Sequence, residues 1–169
     1  LILDGSGNLY GTTQGGGATG FGTVFKVKTD GTSFQVVYPF GVGGPGDGNY
    51  PAAPLILDGS GNLYGTTPQG AASALGTVFT VKTDRTGYQV LHSFTGGASG
   101  GINPYAGLTP DGAGNLFGTT SGGGEPGAGT VFTVKVDGTG FQLLQSFVGG
   151  ATDGRGPAAA LIPDGSGIL

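Results

Sequence analysis

LILDGSGNLYGTT, residues 55–67, decides the fold, because the same thirteen letters stand at 1–13 and return as LTPDGAGNLFGTT at 108–120. A fourth start, LIPDGSGIL, opens at 161. Self-similarity at a period of about 53 residues is the mark of a tandem array. The units are 1–54, 55–107 and 108–160, with 161–169 the start of a fourth. The Asp of the turn (Asp4, Asp58, Asp111) lies 18 residues before the Gly of GTVF (Gly22, Gly76, Gly129), and the one length change falls after Phe40, Phe94 and Phe147.

Each unit offers four strands. In the second they are the run Leu55 to Leu57, then Asn62 to Thr67, Thr77 to Lys82 and Tyr88 to Phe94, with a turn over Asp58 to Gly61. Thr77, Phe79 and Val81 alternate onto one face, and the same period places Tyr88, Val90, His92 and Phe94 together. TDGTS, TDRTG or VDGTG between the third and fourth strands reads as a hairpin connection. No ten-residue segment has helical periodicity, so short strands at regular spacing predict an all-β fold.

Gly and Pro, 41 and 10 of 169 residues, make up about 30% of the chain, a share that alone suggests disorder. Apolar runs recurring in register argue against it. Phe25, Phe79 and Phe132 are equivalent, as are Phe40, Phe94 and Phe147, and each contributes about 1.5–3 kcal/mol when fully buried. Val24, Val78 and Val131 lie on the opposite face of the same strand, so both faces of each small sheet should be covered. A β-propeller-like array of four-stranded antiparallel blades meets that need, with an open stack of small sheets in a fibre as the alternative.

NLYGTT, GTVFKV or GTVFTV, FQVV or YQVL leading to Phe, and DGNYPAAPL resemble the GloVer tandem repeat over essentially the whole chain. That resemblance implies a secreted or surface-displayed bacterial protein of propeller-like blades, of a kind that ends in a sorting anchor, and it brings no enzymatic activity. The chain departs from the family pattern at Ser99 and Gly100, the latter standing where the other units have Asp47 and Asp153.

Charge and composition narrow the chemistry. Net charge is −4, and the six bases, Lys26, Lys28, Lys82, Arg85, Lys135 and Arg155, form no stripe for nucleic-acid phosphates. Zero cysteine excludes disulfides and thiolate metal sites. No run is long and apolar enough for a membrane span. The DGSGN and DGAGN loops hold one Asp each, against the 6–8 oxygen ligands calcium takes, and read as Asx turns without a metal. GGGATG and SGGGEPG lack the Lys of a phosphate loop. The lone His92 and lone Glu125 form no recurring catalytic pair, so neither an enzyme nor a cofactor is expected.

Two functions remain. One is a non-enzymatic extracellular scaffold that packs against copies of itself or further repeats, an expectation drawn from exposed edges and faces and from a chain that begins at Leu1 and stops at Leu169, both inside a unit. The other is a ligand- or glycan-binding propeller using its variable loops. Asp47, Asn49 and Tyr50, then Asn103 and Tyr105, then Asp153 and Arg155 offer rings and polar groups that suit a sugar.

Overall fold

The computed structural model describes residues 1–164. Each unit forms one four-stranded antiparallel sheet with its strands side by side in chain order. The first comprises β1 (Ile2–Leu3), β2 (Asn8–Thr13), β3 (Thr23–Lys28) and β4 (Gln35–Pro39). After β5 (Gly48–Asn49), the second comprises β6 (Ile56–Leu57), β7 (Asn62–Thr67), β9 (Thr77–Lys82) and β10 (Gln89–Ser93), with β8 (Gln69–Gly70) outside it. After β11 (Gly101–Ile102), the third comprises β12 (Thr109–Pro110), β13 (Asn115–Thr120), β15 (Thr130–Lys135) and β16 (Gln142–Ser146), with β14 (Gly122–Gly123) outside it. The all-β expectation is borne out: the described residues contain no helix, and the sheets form an open array of propeller-like blades with no closed barrel.

Two short ribbons tie neighbouring units together. β5 follows the first sheet and pairs antiparallel with β8 of the second unit, and β11 pairs with β14 of the third in the same way. The repeated Gly-Thr-Thr supplies further ties. Thr67 and Thr77 face each other across the β7–β9 pair with hydroxyls 2.8 Å apart, as do Thr13 and Thr23 at 2.9 Å and Thr120 and Thr130 at 2.7 Å. The first Thr of each Gly-Thr-Thr reaches outward: the Thr66 hydroxyl donates to the Ala106 carbonyl at 3.0 Å, and Thr12 to that of Ala53 at 3.3 Å. One Thr closes its own sheet and the other fixes the course of the next linker.

Glycine inside a strand is usually a loss of packing, but here it makes room. Gly65 of β7 is the cross-strand partner of Phe79, and a Cβ on it would lie 2.7 Å from the Phe79 ring and 2.8 Å from Leu55. The ring therefore fills the space that a side chain at position 65 would need. Gly76 has φ +104°, and a Cβ there would sit 2.4 Å from the Thr67 carbonyl.

Hydrophobic cores lie between the sheets, one per junction. Tyr10, Val24, Val37 and Phe40 of the first unit meet Leu55, Leu63, Phe79 and Val81 of the second. Tyr64, Val78, Leu91 and Phe94 of the second meet Leu108, Leu116, Phe132 and Val134 of the third. The middle sheet is covered on both faces, as a blade between blades requires. Phe40 and Phe79 meet edge to face at 5.1 Å, and Phe94 and Phe132 repeat the contact at 5.1 Å.

One sequence expectation is corrected here. Tyr88, Val90, His92 and Phe94 do not share a face, because β10 carries a β-bulge: Val90 pairs with Phe79 but His92 with Val78. The extra residue, Leu91, shifts the period-two alternation by one. Tyr88 consequently packs in the junction with the first sheet, while His92 and Phe94 face the third. The same bulge interrupts β4 and β16.

Candidate functional site

The bulge turns two side chains of each sheet outward, one toward each neighbour, and in the first two sheets both are aromatic. Tyr38 of the first sheet stacks on Tyr88 of the second with ring centroids 3.6 Å apart, and His92 of the second stacks on Phe141 of the third, also at 3.6 Å. Tyr38, His92 and Gln145 are equivalent positions, and so are Phe34, Tyr88 and Phe141. A forward side chain of one unit thus meets a backward side chain of the next.

At the first junction this stack closes on a buried carboxylate. Asp47 is 4% exposed. Its Oδ2 accepts the Tyr38 hydroxyl at 3.0 Å and the backbone N–H groups of Gly41 and Gly43 at 2.7 and 3.0 Å. Its Oδ1 accepts the Gly48 N–H at 2.8 Å and the hydroxyl of Tyr88 from the next sheet. Five donors surround two oxygens, so a buried charge is compensated by hydrogen bonds. Burial and the bond to Asp47 push the Tyr38 and Tyr88 phenols well above their ordinary range, which keeps both protonated as donors. Asp47 joins units.

The second junction is built differently. Gly100 occupies the place of Asp47, and Phe141 the place of Tyr88. A Cβ on Gly100 would lie 2.5 Å from the Gly96 carbonyl, and the loop closes instead through Gly124 N–H to the carbonyls of Gly97 and Gly100 at 3.1 and 2.9 Å. His92 fills the stacking position, and burial lowers its pKa to about 4, so it packs as a neutral ring.

The other residues expected to bind a ligand lie in the linkers. Asn49 belongs to β5, opposite Gln69. Tyr50, with φ 59°, donates its N–H to the Phe21 carbonyl at 2.8 Å and sets its ring edge-on to Phe21 at 5.6 Å. Asn103, with φ 55°, makes the equivalent bond to Leu75 at 2.9 Å, and its carbonyl accepts the Ser121 hydroxyl at 3.1 Å. The matching Gly156, φ 64°, donates to Ala128 at 2.7 Å. These three positions shape the chain's passage between sheets through one repeated left-handed residue. Tyr105 is 42% exposed and Arg155 is exposed. Asp153 accepts the N–H groups of Val148 and Gly154 at 2.8 and 2.7 Å.

The turn aspartates are internally bonded. Asp58 accepts the backbone N–H groups of Ser60 and Asn62, the Asn62 side-chain amide and the Tyr64 hydroxyl, at 2.8–3.1 Å. Burial opposes its ionisation, but the Asn62 bonds prevail and hold its carboxyl below the usual range. A cleft of about 260 Å³ opens beside this turn, lined by Ile56, Leu57, Tyr64, Pro110, Leu116 and Val136 among others. Its lining is mainly apolar, continuous with the core between the second and third sheets.

The outer faces complete the picture. Equivalent residues Val37 and Leu91 are 4% and 6% exposed in the two junctions, while Leu144 on the third sheet is 46% exposed. On the other side Phe34 is 62% exposed, where its counterparts Tyr88 and Phe141 are covered by stacking. The sequence signals the Asp47 latch only through the joint appearance of Asp47 with Tyr88 and of Gly100 with Phe141.

A chain in the crystal structure of a nidogen/laminin complex has a similar fold, with a TM-score of 0.64 and 17% identity over 93% of this chain and 49% of that one. The chain therefore spans about half the length of that neighbour. No curated protein matches the sequence. The Gloeobacter/Verrucomicrobia repeat model matches residues 1–169, in agreement with the recurrent turns, strands and junctions. The chain belongs to the Gloeobacter/Verrucomicrobia repeat family.

Proposed function

We propose that this chain is a non-enzymatic extracellular structural segment, a scaffold whose sheets stack face to face and whose two outward faces stack on further sheets in a surface fibre, layer or ring. The observation that carries the reading is the contrast between buried Val37 and Leu91 and exposed Leu144 at one repeated position. Leu1, Phe34, Leu144 and Val148 together leave large apolar side chains in water at the two ends of the array, each worth about 1.5–3 kcal/mol on full burial. The described hydrogen-bonded groups serve turns and junctions, which suits a framework. Negative-stain microscopy of the native protein, with its intact mass and cell fractionation, tests this. Rings or filaments of stacked units at the cell surface are expected. Isolated three-sheet particles confined to the cell interior would overturn it.

A ligand-binding role for the linkers is the second reading, favoured by the exposed Tyr105 ring and by Arg155 beside a small cleft lined by Pro126, Val148 and Gly149. A glycan array probed with the native protein tests it: binding lost in Tyr105→Ala supports a lectin role, and an array without signal removes it.

A further inference from the structure

The two junctions differ at both ends of one contact together. Where the linker carries Asp47 the next sheet presents Tyr88, and where it carries Gly100 the next sheet presents Phe141. The third linker carries Asp153. Its Oδ2 accepts the Val148 N–H at 2.8 Å and its Oδ1 the Gly154 N–H at 2.7 Å. These are the backbone positions that Gly41 and Gly48 supply to Asp47 at 2.7 and 2.8 Å: one follows the core phenylalanine and one follows the aspartate. Two of the three amide donors of Asp47 are thus repeated at Asp153, in a loop one residue shorter; the third donor to Asp47 is Gly43. What completes Asp47 is a pair of phenols, and on the third sheet Gln145 replaces Tyr38, leaving the contact from the next sheet as the remaining strong donor position.

The surface around Asp153 is the bare one, with Leu144 and Val148 46% and 59% exposed. The chain itself is led onto that surface. The Thr119 hydroxyl donates to the Ala159 carbonyl at 3.4 Å, repeating the Thr12–Ala53 and Thr66–Ala106 bonds that guide the two earlier linkers, and Thr109 donates to the Leu161 carbonyl.

We propose that the bare face of the third sheet is the seat of a succeeding repeat unit of the same chain, and that Asp153 selects a unit with tyrosine rather than phenylalanine at the position of Tyr88. The proposal rests on the scaffold reading. A second copy of this chain is the poorer occupant, because its first sheet presents Phe34, which has no hydroxyl to give. The latch then orders the array: an Asp-bearing linker is followed by a Tyr-bearing unit, and a linker without Asp by a Phe-bearing one.

The test extends the 169-residue chain with a copy of its own residues 64–107, which completes a fourth unit because Leu169 aligns with Leu63. Melting is followed for four proteins: the appended copy with its tyrosine or with Tyr88→Phe, each with Asp153 or Asp153→Asn. Docking of the fourth unit appears as one cooperative transition above that of the 169-residue chain. Two transitions, one of them unchanged, would overturn the scaffold reading itself. Given docking, Asp153→Asn lowers the midpoint by about 3–8 °C in the tyrosine protein and by less than about 2 °C in the phenylalanine protein. Additive effects in a docked protein overturn the latch and leave the stacking intact.

Discussion

Tyr38 and Tyr88, from successive sheets, lie ring on ring with planes 7° apart and point both hydroxyls at the single carboxylate of Asp47. The stack supplies contact area, and the carboxylate fixes register, since both phenols donate only when the sheets sit in one relative position. Dispersion between rings is tolerant of sliding; hydrogen bonds to a buried charge are not.

Removing the carboxylate should cost more than removing either phenol. Asp47→Ala leaves two hydroxyls and three amides without their acceptor, and a loss of about 3–4 kcal/mol is expected in denaturant unfolding. Tyr88→Phe keeps the stack and should cost about 1–2 kcal/mol.

The latch should not transplant to the second junction. Phe94 to Gly100 spans six residues, as Phe147 to Asp153 does, so loop length alone does not forbid an aspartate; at position 100, however, the Gly96 carbonyl would lie 2.5 Å from any Cβ. Gly100→Asp combined with Phe141→Tyr is expected to unfold more easily than the parent by about 2 kcal/mol or more. Thermal unfolding of the pair reads this directly.

Within a strand, Gly65→Ala should cost about 1–3 kcal/mol, because its Cβ would press on Phe79 and Leu55, both buried in a closed junction. The equivalent Gly11→Ala should be milder. Its Cβ would meet Leu1, which is exposed and free to move aside, at 2.5 Å, and the Phe25 ring, which is only half-buried where Phe79 is fully buried, at 2.9 Å.

Acid should weaken the second junction before it reaches the turns. His92 has a folded pKa of about 4 against 6.5 when unfolded, so the native state binds fewer protons and its stability, complete above pH 6.5, falls as pH drops from there toward 4. The full shift corresponds to about 3 kcal/mol; with part of the ring reached by solvent, about 1–2 kcal/mol is expected. His92→Phe should flatten unfolding free energy across that window. The lowered pKa of Asp58 adds a further loss only below its ordinary value of 3.8.

Much of the architecture was legible because it is periodic. The strands expected over Asn62 to Thr67 and Thr77 to Lys82 coincide with β7 and β9, since NLYGTT and TVFTVK alternate between two turn signals. The fourth strand is not legible in this way: its bulge at Leu91 has no Gly or Pro to mark it, so strict period two puts Tyr88 and His92 on one face. The β5–β8 and β11–β14 ribbons, two residues a side and rich in glycine, have no hydrophobic period to read. Asp47 was legible as a polar linker residue but not as a latch, because its partner Tyr88 lies in the next unit and only the packed sheets bring them together. Tyr50 and Asn103 likewise look like ligand contacts until the left-handed backbone and the bonds to Phe21 and Leu75 give them a local task.

We propose the face bearing Leu144 as an interface, and since the 169-residue sequence holds no cysteine, a thiol introduced within it reports on its own position. Leu144→Cys and Leu91→Cys, each placed singly in the native full-length protein, are labelled with a thiol reagent alongside Val42→Cys, a loop position 52% exposed. Labelling of Leu144→Cys as slow as that of Leu91→Cys is the predicted result. Labelling as fast as at Val42→Cys would contradict the account.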